Sequence, residues 1–212
     1  MIAVKIKNLK KSFNGEKVLD DVSFDIVEGE KVVLFGHNGS GKTTLLRCIM
    51  GFESFEGEIQ VLGFSVNSHH FQSIKNYLGY VLQVHPLWSA HVQDVINLVC
   101  SSRGATFSEF DKLLDIFELN LSSIYRKKMN ELSGGMRQKL LLIFAFLGNP
   151  KILLLDEPFS HLDTSAQEKL FDFLQNLNST LLISTHRIQD VSFATRVIYM
   201  KNGRVENDEK KK

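Results

Sequence analysis

The 212-residue sequence holds only two cysteines, Cys48 and Cys100, and their separation offers no metal-ligand spacing; a reduced cytosolic protein is the simpler reading. It lacks an excess of either charge. With 25 basic and 24 acidic residues the formal net charge is +1, which argues against a nucleic-acid binder that relies on a broad basic surface. It also lacks an apolar run long enough to span a bilayer. Leu140 to Leu147 is continuous and apolar, but Arg137 and Lys139 precede it and Gly148-Asn149-Pro150 ends it, well short of the roughly 20 residues required; a buried helix is expected. The opening residues, Met1 to Lys7, alternate apolar and polar like a strand and lack the apolar region of a secretion signal. There is no internal repeat or long low-complexity linker. His69, His70, His85, His91 and His161 form no His-x-x-x-His pair and no Cys/His cluster, so a protein-bound transition metal is not expected.

What is present begins with Gly36-His37-Asn38-Gly39-Ser40-Gly41-Lys42-Thr43, a glycine-rich turn ending in Lys-Thr. The apolar run Lys31 to Phe35 precedes it and Thr43-Thr44-Leu45-Leu46 opens a helical stretch after it, so strand, loop and helix follow in the order a phosphate-binding loop needs. The glycines let backbone N–H groups approach phosphates, Lys42 reaches the β and γ phosphates, and the Thr43 hydroxyl joins a magnesium shell. An apolar fraction of 43% suffices for a core of ordinary proportions.

Ile2, Val4 and Ile6, then Val22, Phe24 and Ile26, recur at period two and predict half-buried strands; Ile59 and Val61 continue them. Phe110, Leu113, Leu114 and Phe117 follow helical spacing, with Ser108 and Asp111 as the expected capping pair. After Pro150, the runs Ile152 to Leu155 and Leu181 to Ser184 flank a helical segment near 165–177, the pattern of parallel strands joined by crossovers. The expected fold is α/β: a P-loop NTPase core of mostly parallel sheet, an N-terminal antiparallel β region and an inserted helical subdomain. The boundaries read as a single domain, with 1–84 and 136–206 as core and 85–135 as helical insertion. Residues 207–212 read as a charged, frayed tail.

Two further motifs turn binding into chemistry. Ile152-Leu153-Leu154-Leu155-Asp156-Glu157-Pro158 sets adjacent acids at the end of a buried strand, where Asp156 can hold magnesium through water and Glu157 can orient an attacking water. Leu132-Ser133-Gly134-Gly135-Met136-Arg137-Gln138 sets a serine and two glycines before an apolar helix, a second place where backbone amides and a helix N-terminus face an anion.

With these elements in this order, the chain resembles the nucleotide-binding subunits of ATP-binding-cassette proteins across nearly its whole length. The resemblance implies ATP and Mg²⁺ as cofactors, with nucleotide contacts from Gly36 through Thr44. It implies a homodimer or heterodimer packed head to tail, with Ser133, Gly134 and Gly135 of one subunit closing over ATP held by the other. It places Phe13 on adenine, Gln83 beside magnesium and the membrane partner, His186 on the γ-phosphate, and Asp163 in the loop that joins the two sites. Metal contacts then fall to Thr43, Gln83 and Asp156, and catalysis to Glu157, His186 and Lys42. His161, His37 and Met136 depart from the residues usual at their positions, and none removes a group assigned to chemistry.

The function so implied is a cytoplasmic ATPase, peripheral on the cytoplasmic face of the membrane, that drives separate integral-membrane permease subunits and does not act on nucleic acid. Gln83 and the following Val84-His85-Pro86-Leu87-Trp88 lead toward the expected permease contact. The Leu132–Gln138 motif and the absence of an appended regulatory domain look more like an exporter with separate membrane subunits than a sugar importer. Phe35-Gly36-His37-Asn38-Gly39 is similar to the loop of cassettes associated with copper-centre maturation of nitrous-oxide reductase. A soluble single-cassette assembly factor is the alternative. A non-hydrolysing switch is disfavoured by the presence of Lys42, Asp156, Glu157 and His186.

Overall fold

The computed structural model describes residues 1–66, 74–81, 83 and 89–211. Strands β1 (Ile2–Phe13) and β2 (Glu16–Val27) form a hairpin closed by Asn14 and Gly15, both at positive φ (50° and 83°), the two-residue turn that matches strand twist. Phe13 pairs with Glu16 and so sits at the hairpin tip. With β4 (Glu56–Val61) and β5 (Phe64–Ser65) these strands make an antiparallel sheet ordered β2-β1-β4-β5.

The second sheet comprises β3 (Lys31–Phe35), β6 (Leu78–Val81), β7 (Ile152–Asp156), β8 (Thr180–Thr185), β9 (Arg196–Lys201) and β10 (Arg204–Lys210), ordered β10-β9-β3-β8-β7-β6. Its neighbours pair in parallel except β10, which runs antiparallel to β9. Alternation along the central strands feeds two cores. Val32, Leu34, Ile152, Leu154, Leu182 and Ile198 face the first sheet and the apolar side of α1 (Lys42–Ile49). Val33, Leu153, Leu155, Leu181, Ile183 and Val197 face the remaining helices. A sheet buried on both faces explains why these strands read as continuous apolar runs.

Those helices are α2 (Val92–Arg103), α3 (Phe107–Ile116), α4 (Leu121–Ile124), α5 (Gly134–Phe146) and α6 (Thr164–Asn176). Helix α5 is the apolar segment read as a buried helix: Leu140 and the run Leu142 to Phe146 are buried. Phe117, Phe146 and Phe173 interlock α3, α5 and α6, with ring centroids 4.8 to 5.8 Å apart. No described helix is long and apolar enough to cross a membrane.

Two local expectations change. Helix α3 is capped two residues earlier than Ser108 and Asp111 suggested: Thr106 accepts from the Glu109 amide at 3.2 Å, and Glu109 accepts from the Thr106 amide at 2.7 Å. Residues 207–210 are part of β10 rather than a frayed tail. Backbone pairing with β9 holds them, and Asp208 forms a two-bond pair with Arg196, at 2.6 and 2.5 Å.

Gly79 sets how α5 lies on the sheet. A Cβ there would stand 2.1 Å from the Ala145 carbonyl oxygen on α5 and 2.4 Å from Leu153 on β7. Gly79→Ala is expected to push α5 off the sheet and lower stability by about 1–3 kcal/mol, the usual cost of overpacking, as measured by urea denaturation.

Candidate functional site

The loop between β3 and α1 turns on Gly39 and Gly41, both in the left-handed region at φ 81° and 101°. Gly41 tolerates no side chain, because a Cβ would meet Leu19 at 2.8 Å and the Val18 carbonyl at 2.9 Å. Lys42 folds back into the loop and is buried, its Nζ donating to the carbonyls of Gly36 at 2.7 Å and His37 at 3.0 Å. Burial lowers the pKa of its ammonium, opposed by the nearby carboxylates of Glu157 and Asp156. The loop opens onto a cleft of about 270 Å³ lined by Val18, Asn38, Gly39, Gly41 to Thr44, Gln83 and Glu157. Thr43 Oγ1 donates to Gln83 Oε1 at 3.3 Å across it.

Asp156 is the last residue of β7 and is 1% exposed. Its Oδ1 accepts from Ser184 Oγ, while its Oδ2 is buried with no hydrogen-bond partner among the described residues. Burial pushes this carboxyl above the usual aspartate range, against the lowering influence of the Ser184 and Thr43 hydroxyls. An orphaned carboxylate oxygen beside the oxygens of Thr43 and Gln83 is a hard donor set that fits Mg²⁺ held with a nucleotide.

Glu157 follows in the left-handed region at φ 47°, an unfavourable conformation for a residue with a Cβ. Two bonds from its amide hold it there, to Ser184 O at 3.1 Å and Ser184 Oγ at 3.0 Å. This twist sends the side chain of Glu157 into the cleft while Asp156 stays buried. His186, just beyond β8, places Nδ1 3.0 Å from Glu157 Oε1. Thr185 anchors the turn by donating to Asp190 Oδ2 at 2.6 Å and accepting from the Arg187 amide at 3.1 Å.

The structure thus gathers the phosphate loop, Thr43, Thr44, Gln83, Asp156, Glu157 and His186 at the carboxyl ends of adjacent parallel strands. Other expected residues lie elsewhere. Ser133, Gly134 and Gly135 open α5, with Ser133 Oγ accepting from the Met136 amide at 3.2 Å, and none of the three lines the cleft. Asp163 caps α6 by accepting from the Ala166 amide at 2.9 Å. Phe13 is 42% exposed, with the Lys11 ammonium 4.5 Å from its ring centroid. The Val84–Trp88 contact, and His69 and His70, lie outside the described residues.

Sequence reasoning missed Ser184, the hydroxyl that joins both acids. Its one signal was a polar residue in the otherwise apolar run Leu181 to Ser184. Val18 lines the cleft from β2 and carried no signal of its own.

The family model described as ABC transporter matches residues 19–160. The uncharacterized ABC transporter ATP-binding protein MJ1023 of Methanocaldococcus jannaschii is 34% identical over 209 residues, covering 95% of this chain and 75% of that protein. The methionine import ATP-binding protein MetN of Clostridium acetobutylicum is 35% identical over 199 residues, covering 89% of this chain and 62% of its own length. Among solved structures, the dimeric post-hydrolysis state of the ATP-binding cassette MJ0796 bound to ADP and Pi superposes with a TM-score of 0.86. It is 31% identical, and the match covers 98% of each chain.

Replacing Ser184 by alanine strips the bonded oxygen of Asp156 and one acceptor of the Glu157 amide. Urea denaturation of Ser184→Ala should show a loss of about 1–3 kcal/mol, the cost of leaving a buried polar group unsatisfied. Calorimetric titration with Mg²⁺-nucleotide should show affinity reduced about ten-fold.

Proposed function

The chain belongs to the ABC transporter family, and from its loop geometry we propose that it drives separate integral-membrane subunits by closing as a dimer around ATP. It is an ATPase of the cassette type. The placement of Ser133, Gly134 and Gly135 carries the dimer reading. They form a capped helix N-terminus suited to an anion, yet they stand apart from the cleft that holds the phosphate loop and the acids. A second copy packed head to tail brings that terminus over the first copy's ATP, so each site is built from both chains. The dimeric arrangement of MJ0796 with ADP and Pi supports the same reading.

In this mechanism the Gly36–Thr44 loop binds the triphosphate, with Lys42 exchanging carbonyl partners for phosphate oxygens, and Phe13 stacks on adenine. Magnesium bound with the nucleotide would neutralise phosphate charge, held by Thr43, Gln83 and, through water, Asp156. Glu157 acts as general base on the attacking water, and His186, bonded to Glu157 Oε1, contacts the γ-phosphate. Asp163 lies in the loop that meets the partner site. The protein works at the cytoplasmic face of the membrane, with Gln83 reporting the state of the site to the permease. MetN, an importer by name, is 35% identical, so cassette identity does not separate import from export. The exporter reading rests on the Leu132–Gln138 motif.

Glu157→Gln keeps the shape of the site and removes the base. Phosphate release should fall by roughly 10²- to 10⁴-fold, the usual contribution of a general base. The variant should accumulate as an ATP-bound dimer in size-exclusion chromatography, and equal turnover of variant and wild type would sink the assignment. Purification from solubilised membranes should recover a stoichiometric integral-membrane protein; a wholly soluble assembly would favour the role in cofactor or macromolecular assembly instead.

A further inference from the structure

The segment from Pro158 to Asp163 follows the general base directly, and its carbonyls are held by side chains from two helices. Gln138 on α5, fully buried, donates to Pro158 O at 2.7 Å. Gln167 on α6 donates from Nε2 to both Phe159 O, at 3.2 Å, and Leu162 O, at 2.9 Å. At the tip, His161 takes the left-handed conformation at φ 61°, and its ring lies against Gly134, 3.8 Å from where a Cβ there would be. The loop is therefore laced both to the helix that begins with Ser133 and to α6.

Gln167 also has a second arm. Its Oε1 accepts from Arg187 Nη2 at 3.0 Å, and Arg187 is the residue after His186. The polarity leaves no alternative amide orientation, because the NH₂ end faces two acceptors and the oxygen faces a cation that only donates. Arg187 is fixed on its other side by Asp190 Oδ1 at 3.7 Å. A single amide thus joins the loop that follows Glu157 to the turn that carries His186.

We infer that Gln167 and Arg187 are positioning residues that tie His186 to the 158–163 loop, so that a second copy meeting this loop sets the His186–Glu157 contact. This rests on the ATPase and dimer readings above. Neither residue lines the nucleotide cleft, so the link acts on turnover and not on nucleotide affinity.

Two substitutions cut the two arms separately. Gln167→Glu keeps an acceptor for Arg187 but turns a carboxylate oxygen toward two carbonyls, releasing the loop. Arg187→Met leaves the loop held and cuts only the side-chain link from Gln167 to the His186 turn. Each should lower kcat about ten-fold with KM for ATP and ATP affinity unchanged, and the double variant should be no slower than either single one. Arg187 has a partly exposed side chain, so its variant carries the test even if Gln167→Glu fails to fold. Unchanged kcat in Arg187→Met, a matching rise in KM, or additive losses in the double variant would overturn the inference while leaving the ATPase intact. Absence of turnover by the wild-type protein would overturn the ATPase reading, and this inference with it.

Discussion

The contact between Asp156 and Ser184 is the constraint around which the site is assembled. The two residues are register partners at the ends of β7 and β8, and the serine hydroxyl serves the buried carboxylate while accepting from the next residue's amide. A carboxylate at this depth is costly unless bonded, and half of it remains free to serve a cation. Because Ser184 also receives the Glu157 amide, one hydroxyl decides that successive acids point in different directions. One is buried beside Thr43 and the other faces the cleft. The unfavourable backbone of Glu157 is tolerated because two bonds from its amide hold it.

Sheet order does the rest. Strand β8 lies between β3 and β7, so the segment carrying Ser184 and His186 sits between the phosphate loop and the acids, although the three segments are far apart in sequence. Ligands in open parallel sheets bind beyond the carboxyl ends of the strands, and all three motifs end there. The antiparallel sheet contributes from outside. Its hairpin tip holds Phe13 near a cation-bearing neighbour, and Val18 and Leu19 on β2 press on Gly41 so closely that the loop accepts only glycine. Helix α5 is positioned by a different constraint, the bare backbone of Gly79, and it carries Ser133 to a place outside the cleft of its own chain.

Much of this was legible in the sequence because it is local. Strand, glycine turn and helix around Lys42 follow from periodicity and residue type, and Asp156-Glu157 announces itself by ending an apolar run. The capping pair of α3 was misplaced by two residues because Thr106-Glu109 and Ser108-Asp111 carry the same kind of signal, and only the bonds formed distinguish them. The last strand escaped for a physical reason. An edge strand paired through its backbone needs no apolar side chains, and charges on an edge discourage pairing with other molecules, so β10 reads as a solvated tail. Ser184, Gln167 and Arg187 were invisible as site residues because their meaning lies in what tertiary structure sets beside them.

Lys42 shows why the loop is only part of a working site. Its ammonium is buried and satisfied by two carbonyls of its own loop. Nearby Asp156 and Glu157 favour its charged form against the cost of burial, but their own charges also lower the attraction the cleft offers a polyanion. In the function proposed, the further donors come from a metal held through water by Asp156 and from the helix N-terminus at Ser133 of a second chain. In that proposal, the coupling of hydrolysis to dimer closure follows from this shortage. A site complete within one chain would bind and turn over ATP without reference to a partner, whereas a site short of donors engages fully only when the partner arrives.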